Sequence, residues 1–298
     1  MFSTIYYFLT ICNFILKSDD CHKNIVTGRG MINTYLFLEK EDKMATNKTP
    51  AKDVAISIKH FRMDFGNKTI IKDLSFEVIK GEVFGFLGSN GCGKTTTIRA
   101  LLGLYQPTSG ELLINGQPFS VSSGTKLGYL PEERGLYKKE SVIDVMVYFG
   151  QLKGLTRSDA RKRAYDYLER VNLVDKANTR IDKLSGGQQQ KIQLGITIID
   201  NPELLILDEP TKGFDPVNRR LLMNIVREHQ QNGATIIFVT HQMEEVERLC
   251  DRVILLKDGV SYAYGTIAEI KKKFSGASLD DIFLKIYGDE NNSTEENA

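Results

Sequence analysis

The feature that most restricts the fold of this chain is the octapeptide GSNGCGKT at residues 88–95, which follows an apolar run and precedes the helical pattern TTTIRALLGL. Its glycine spacing before Lys-Thr is that of a phosphate-binding loop, in which backbone N–H groups turn toward phosphate oxygens at a helix N-terminus. Because such a loop needs a strand before it and a helix after it, the octapeptide predicts an α/β fold that binds a nucleotide. The residues expected around the phosphates are Gly88, Ser89, Asn90, Gly91, Cys92, Gly93, Lys94, Thr95 and Thr96.

Individual residues of this loop have separate expected roles. Lys94 is expected to contact the β- and γ-phosphates as a point charge, and Thr95 to offer its hydroxyl to Mg²⁺. Thr96 is expected to contact a further phosphate. Cys92 occupies a variable position of the loop, and its thiol is assigned no chemistry. The alternative, a glycine-rich turn with an accidental lysine, is disfavoured by the strand-loop-helix context.

Three apolar runs predict the centre of a sheet. The runs are VFGFLG (83–88), LLILDE (204–209) and TIIFVTH (235–241). They are too continuous for half-exposed strands and too short for helices. We therefore expect central strands of a parallel sheet that is covered by helices on both faces.

Polar side chains end two of these runs. Asp208 and Glu209 close the second run, and His241 closes the third. Because the carboxyl ends of parallel strands meet at one edge, all three should lie beside the phosphate loop. Asp208 is expected to hold Mg²⁺ through water, Glu209 to act as the general base on the attacking water, and His241 to donate to a phosphate oxygen and orient that water.

Alternating patterns predict antiparallel strands elsewhere. Apolar and polar residues alternate from Val54 to Ile79, which indicates edge strands of a small antiparallel sheet. The stretch ELLINGQPF continues this sheet, with a tight turn at Asn115-Gly116. A second hairpin is predicted around Asp258-Gly259.

Residues from about 135 to 183 have helical spacing and are predicted to form a helical insert. One helix has apolar residues on a single face, namely Val142, Val145, Met146 and Phe149. Ser158 with Asp159 predicts the capped start of the next helix. Near the C-terminus, Ser278 and Asp281 predict a capping box that begins a short helix.

Charge and cysteine content limit the classes of partner and site. The chain has 39 Lys and Arg against 38 Asp and Glu, a formal net charge of +1, whereas proteins that wrap nucleic acid usually carry a strong basic excess. No nucleic-acid partner is therefore expected. The four cysteines, Cys12, Cys21, Cys92 and Cys250, form no CxxC pair, so neither disulfides nor structural zinc are expected.

Both ends of the chain have unusual composition. The first sixteen residues are uncharged and mostly apolar, but they fall short of the roughly 20 residues of a membrane-spanning helix. Residues 40–43 (KEDK) can be encoded by a bacterial ribosome-binding sequence, which suggests that translation naturally begins at Met44 and that residues 1–43 are poorly ordered upstream sequence. A membrane-surface anchor is the rival interpretation. The tail DENNSTEENA has nothing to bury and is predicted to be disordered.

Taken with the phosphate loop, the motifs LSGGQQQK (184–191) and LLILDEP (204–210) give the chain a family resemblance. Over roughly residues 53–270 it resembles the nucleotide-binding subunit of an ABC transporter. This implies a P-loop NTPase core of mostly parallel sheet with helices on both faces, an antiparallel β-subdomain, and an α-helical subdomain of about residues 135–190. The ATP-binding domain would span 44–274, followed by a short helix and an acidic tail in 275–298.

The resemblance also implies how ATP and partners are arranged. The signature residues of one copy would face the phosphate loop of a second copy in a head-to-tail dimer bridged by ATP. These signature residues are Ser185, Gly186, Gly187 and Gln188. Phe65 would stack on adenine, and Asp215 would lie in the loop that communicates between the two sites. The expected partners are a second copy and integral membrane permease subunits, at the cytoplasmic face of the membrane, with ATP and Mg²⁺ as ligands.

At three positions the chain departs from the usual family residues. Lys212 and Phe214, beside Asp215, stand where serine and leucine are commonest. Glu132 stands where most members have a glutamine that touches Mg²⁺ and senses the membrane partner. Its carboxylate can coordinate the metal but adds negative charge next to a triphosphate. Because exporter subunits often look like this, an exporter is expected.

Rival functions remain open at this point. The chain could be a soluble ABC ATPase that acts on ribosomes or DNA, although its single motif set and short helical insert disfavour this. It could also be a nucleotide-binding regulator without turnover. The joint presence of Lys94, Asp208, Glu209 and His241 favours hydrolysis.

Overall fold

The computed structural model describes residues 54–120, 123–133 and 135–288. The predictions about residues 1–43 and about the tail after residue 288 lie outside this part of the chain. The strands are β1 (Val54–Phe65), β2 (Lys68–Ile79), β3 (Val83–Leu87), β4 (Ser109–Ile114), β5 (Leu127–Leu130), β6 (Leu204–Asp208), β7 (Thr235–Thr240), β8 (Arg252–Lys257) and β9 (Val260–Thr266). The helices are α1 (Lys94–Leu101), α2 (Val142–Leu152), α3 (Arg157–Arg170), α4 (Gly186–Ile198), α5 (Pro216–Gln231), α6 (Met243–Leu249), α7 (Ile267–Lys273) and α8 (Leu279–Tyr287).

The described strands form one nine-stranded sheet in the order β4-β1-β2-β9-β8-β3-β7-β6-β5. Strands β8, β3, β7, β6 and β5 are parallel to one another. Every residue of β3, β6 and β7 is buried, as expected for strands that are covered on both faces. The prediction of three central parallel strands is therefore confirmed.

Successive side chains of the parallel strands enter two separate apolar clusters. Phe84 and Phe86 of β3 pack with β1, β2, β4 and α1, whereas Val83 and Leu87 pack with residues of the later helices. This division follows from the two-residue period of a strand. The parallel strands thus pack on one face against α1 and against side chains of the antiparallel strands β1, β2 and β4. On the other face they pack against helices α2 to α8.

The predicted edge position of residues 54–79 is wrong. Strand β1 lies between β4 and β2, and β2 reaches β9 through the pair Asp73–Val260. Alternation indicates that one face of a strand is buried, but it does not reveal whether both backbone edges are paired. The outer strands of the described sheet are β4 and β5.

Both predicted hairpin turns are present. Asn115 and Gly116 have φ values of 52° and 80°, and Asp258 and Gly259 have 50° and 74°. Positive φ at both central residues is the type I′ pattern. The second turn joins the antiparallel pair β8–β9, whereas the first is followed by an isolated bridge to Gln117 rather than a strand.

The helices agree with the sequence patterns except at one cap. The four apolar residues predicted to share a face of α2 are buried, and Ser278 and Asp281 form the predicted capping box of α8. The predicted cap at Ser158 is wrong, because Oγ1 of Thr156 accepts the Asp159 N–H at 3.1 Å. Thr156 has the three-residue spacing that this contact needs, whereas Ser158 lies inside the first helical turn.

The cysteines of the described residues are Cys92 and Cys250, and both are buried thiols that form no disulfide. Burial raises the pKa of the Cys250 thiol. The thiolate form is the reactive one, so the fold gives Cys250 an inert environment.

Candidate functional site

The phosphate loop connects β3 to α1 and closes around its lysine. The Nζ atom of Lys94 donates hydrogen bonds to the carbonyl oxygens of Gly88 at 2.8 Å and Ser89 at 3.0 Å. The lysine is only 7% exposed. Its ammonium group is thus fixed inside the loop, where a phosphate oxygen would meet both the charge and the backbone N–H groups.

Two glycines of this loop are required by close contacts. A Cβ atom at Gly88 would lie 2.4 Å from Sγ of Cys92 and 2.7 Å from the carbonyl oxygen of Leu256. Gly93 has a φ of 110°, and a Cβ atom there would lie 2.4 Å from Cδ1 of Ile71. The loop can therefore keep its tight curvature only with glycine at these positions.

A hydroxyl and a carboxylate meet where the loop passes the end of β6. Oγ1 of Thr95 donates to Oδ2 of Asp208 at 2.9 Å, and Asp208 is 1% exposed. The pKa of Asp208 is raised to about 6, chiefly by burial and also by the negative charges of Glu132 and Glu209, while the hydrogen bond from Thr95 opposes this shift. A negatively charged carboxylate that is so little exposed to water favours the binding of a cation beside it.

This oxygen donor set suits Mg²⁺. In the described part of the chain, no three His, Cys, Asp or Glu side chains are grouped so that they could hold a metal ion by themselves. Mg²⁺ typically takes one or two carboxylates and completes its shell with water and substrate phosphates. The pair Thr95–Asp208, beside the phosphate loop, therefore fits a metal that arrives with a nucleotide.

Glu209, the residue after Asp208, lies close to His241, which follows strand β7. Nδ1 of His241 and Oε1 of Glu209 are 2.8 Å apart. Glu209 is 5% exposed and has a φ of 47°, an uncommon conformation that its N–H bond to the Val239 carbonyl at 2.9 Å helps to hold. Its second oxygen, Oε2, is buried without a hydrogen-bond partner in the described structure. The lone pairs of that oxygen are therefore not used by the described protein groups.

Two buried residues that the sequence did not reveal support this loop. Oγ1 of Thr211 donates to Oε2 of Glu245 at 2.9 Å, and the two residues are 0% and 4% exposed. Burial raises the pKa of Glu245, which also senses the charges of Glu209 and His241. This hydrogen bond connects the turn after Glu209 to α6, the helix that follows His241. It therefore stabilises the positions of both Glu209 and His241.

Glu132 has a partner that its sequence context did not indicate. Nζ of Lys212 lies 2.7 Å from Oε1 of Glu132, and both side chains are exposed at the rim of the site. Glu132 lies close enough to Asp208 to act on its charge. The predicted metal ligand is thus held in an ion pair with a lysine.

The signature motif begins α4 as an open anion site. Ser185 is the N-cap: its Oγ accepts the Gln188 N–H at 3.3 Å, and its own N–H donates to Oε1 of Gln188 at 2.9 Å. The serine hydroxyl proton is therefore left for another acceptor. The N–H groups of Gly186 and Gly187, in the first helical turn, have no acceptor within the helix. A phosphate oxygen at this end would meet three donors.

The remaining two predicted residues lie outside this cluster. Phe65, at the end of β1, is 46% exposed and has its ring edge-on to Tyr105, with centroids 5.4 Å apart. It is thus a surface ring that a flat ligand can reach, and not a core residue. Asp215 is the N-cap of α5 and accepts the Asn218 N–H at 2.9 Å. This hydrogen bond lowers the pKa of Asp215.

Among the described helices, none combines the length and the apolar character that crossing a bilayer requires.

Comparisons with known proteins identify the family of the chain. A family model described as ABC transporter matches residues 71–212. The chain is 44% identical over 220 residues to an uncharacterised ABC transporter ATP-binding protein of Methanocaldococcus jannaschii, covering 74% of this chain and 80% of that protein. It is 36% identical over 233 residues to Nod factor export ATP-binding protein I of a Rhizobium species, covering 77% of each. A solved structure described as the ATP-binding subunit of an ABC transporter has a TM-score of 0.71 and 28% identity, covering 78% of this chain and 98% of that one.

Proposed function

The chain belongs to the ABC transporter ATP-binding subunits, which are ATPases, and we propose that two copies share their bound ATP and drive an exporter. The observation that carries this proposal is the sheet edge at which Lys94, Asp208, Glu209 and His241 are gathered. A site with a cation for phosphate, a metal-side carboxylate and a buried base is built for phosphoryl transfer to water.

Each phosphate-side residue has a distinct task. Lys94 places its ammonium group against the β- and γ-phosphates, and the loop glycines supply N–H donors around them. Thr95 and Asp208 are the ligands through which Mg²⁺ would be held, with Glu132 as a third candidate. When bound there, Mg²⁺ would offset the negative charge that develops on the phosphate oxygens.

Glu209 and His241 act on the attacking water. Oε2 of Glu209 accepts the water proton, while Oε1 is held by His241. A neutral imidazole carries one N–H. On Nδ1 it donates to the Glu209 carboxylate and orients it, and on Nε2 it would instead donate to a γ-phosphate oxygen. Phe65 offers its exposed ring to the adenine.

The signature explains why two copies are needed. Ser185 and Gln188 form reciprocal hydrogen bonds at the N-terminus of their own helix. The hydroxyl proton of Ser185 and the N–H groups of Gly186 and Gly187 can therefore donate to an external anion. The γ-phosphate of an ATP bound to Lys94 of a second copy is such an anion. ATP then binds both subunits, and hydrolysis removes the phosphate that joins them. Asp215, in the loop between β6 and α5, would carry the signal between the two sites.

The transport role rests on the relatives. The Rhizobium relative is named for Nod factor export, and Glu132 in place of the usual glutamine also favours an exporter. A separate permease would form the membrane path, with this subunit at its cytoplasmic face. Co-expression with a membrane protein encoded beside this gene tests that role: stimulation of ATPase activity is expected, and an unaltered rate with every such partner would contradict it.

The substitution Glu209→Gln tests the shared-ATP part. This variant keeps the side-chain shape but removes the base, so it should retain ATP and accumulate as a dimer while turnover collapses. Size-exclusion chromatography with radiolabelled ATP measures both properties, and Lys94→Ala is the matched control that should bind no ATP. A Glu209→Gln protein that hydrolyses ATP at the wild-type rate, or stays monomeric with ATP bound, would overturn the proposal.

A further inference from the structure

Two positions at which this chain departs from its family's usual residues lie in direct contact. Nζ of Lys212 and Oε1 of Glu132 are 2.7 Å apart, although 80 residues separate them in sequence. The two side chains carry opposite charges.

The loops that carry this pair are both fastened to the signature helix. Gln193 of α4 donates through Nε2 to the Glu133 carbonyl at 3.2 Å, and Gln190 donates to the Pro210 carbonyl at 3.3 Å. The two glutamines are 3% and 2% exposed. Buried hydrogen bonds of this kind are costly to break, so the fold itself brings the two loops together.

The ion pair contributes little to stability, since its lysine and glutamate side chains are 62% and 42% exposed. The ion pair instead affects the electrostatic potential near the site. Glu132 acts as a negative charge on Asp208, and the backbone N–H of Lys212 bonds to the Glu209 carbonyl at 3.2 Å. The pair is therefore close both to the metal-side carboxylate and to the backbone of the base.

We propose that Lys212 is a positioning residue that neutralises Glu132 and holds its carboxylate at the rim of the ATP site. This rests on the proposed placement of the triphosphate beside Lys94. Without Lys212, the unpaired carboxylate repels the triphosphate. Without Glu132, the positive charge of Lys212 is no longer offset by that carboxylate and attracts the triphosphate. Removing both groups returns the local charge to its starting value.

The test is a double-mutant cycle on nucleotide affinity. Calorimetry measures the Kd of the non-hydrolysable analogue AMP-PNP, with Mg²⁺ and with EDTA, for the wild type, Lys212→Met, Glu132→Gln and the double variant. With EDTA, where no metal contact contributes, Lys212→Met should weaken binding on the order of tenfold, and Glu132→Gln should strengthen it. The double variant should return to within about threefold of the wild type, and high salt should shrink the single-variant effects.

Two controls separate this charge effect from general disruption. Lys212→Arg keeps the charge and should keep wild-type affinity. Lys271→Met removes another partly exposed ion pair, to Glu247 at 2.8 Å, and should leave affinity unchanged. Thermal unfolding of each variant establishes that it is folded.

The outcomes distinguish two kinds of failure. If Lys212→Met and Glu132→Gln shift affinity in the same direction, if the double variant stays as weak as Lys212→Met, or if the effects ignore salt, the ion-pair proposal is wrong while binding that depends on Lys94 stands. If the wild type and Lys94→Ala bind AMP-PNP equally well, the proposed triphosphate site is itself wrong.

Discussion

Nδ1 of His241 lies 2.8 Å from Oε1 of Glu209, so a histidine that follows β7 is paired with a carboxylate that follows β6. The glutamate side chain is 6% exposed and the imidazole 48% exposed. The histidine therefore connects a buried base to the open side of the site. A polar residue at the end of a strand needs no such contact. The pairing with Glu209 therefore indicates that His241 is part of the site.

Replacing His241 with alanine should lower kcat by about a hundredfold and leave ATP affinity nearly unchanged. The reason is that Glu209 loses the group that orients its carboxylate, while the phosphate loop is untouched. Steady-state kinetics together with calorimetric ATP binding measure the two effects. A variant that loses affinity but keeps kcat would show that His241 holds the nucleotide and not the base.

Replacing Thr211 with valine should destabilise the protein by about 1–3 kcal/mol, because a buried carboxylate oxygen of Glu245 loses its donor. Turnover should also fall, since the turn after Glu209 is no longer fastened to α6. Urea unfolding and ATPase assays measure both. Glu245→Gln keeps an acceptor for Thr211 and should have the smaller effect; equal losses in the two variants would contradict this role.

The stability of the nucleotide-free protein should depend on pH through Asp208. Its folded-state pKa is raised to about 6 from 3.8, so the folded protein binds this proton more tightly than the unfolded chain. The corresponding stability is fully present below the unfolded pKa and is lost as pH rises through about 6. Relative to Asp208→Asn, the wild type should lose up to about 3 kcal/mol between pH 4 and pH 8. Parallel pH profiles of unfolding free energy for the two proteins would contradict the assignment.

Replacing Gly187 with alanine should separate folding from function. The nearest atoms to a Cβ there belong to Gly213 and Phe214 at 3.8 Å, which is ordinary contact. Alanine also favours a helix by up to about 1 kcal/mol over glycine, so α4 should be as stable or more stable. The new methyl group nevertheless lies beside the Gly187 N–H that is proposed to contact the phosphate. We expect an unchanged or higher melting temperature with loss of ATP-dependent dimerisation; full dimerisation would remove Gly187 from the interface.

The parts of the fold that could be predicted from sequence have local signals. The phosphate loop and the central strands follow from contiguous glycine and apolar patterns, and the acids and histidine follow from where those strands end. Strand β5 was not predicted, because LGYL is only four residues long and contains Gly128. A Cβ atom there would lie 2.8 Å from the Thr197 carbonyl oxygen, a constraint imposed by packing against α4.

The contacts that escaped prediction join residues distant in sequence. Thr211 and Glu245 are 34 residues apart, and Lys212 and Glu132 are 80 residues apart. Each residue alone is an ordinary polar side chain, and its role depends on which loops the sheet order brings together. The cap at Thr156 was misplaced for a simpler reason, since two candidate hydroxyls lie within three residues and only the spacing to Asp159 decides between them.

The central claim, that one ATP is held by two copies, is tested most directly by mixing two inactive proteins. One carries Lys94→Ala and the other carries Gly187→Ala, so a mixed pair rebuilds one complete site from the intact loop of one copy and the intact signature of the other. The account predicts that equal mixing restores up to about half of wild-type ATPase activity, since neither parent forms an ATP-bridged dimer with itself and each mixed dimer has one working site. A mixture that stays as inactive as its two parents, or a Gly187→Ala protein that turns over fully as a monomer, would contradict it.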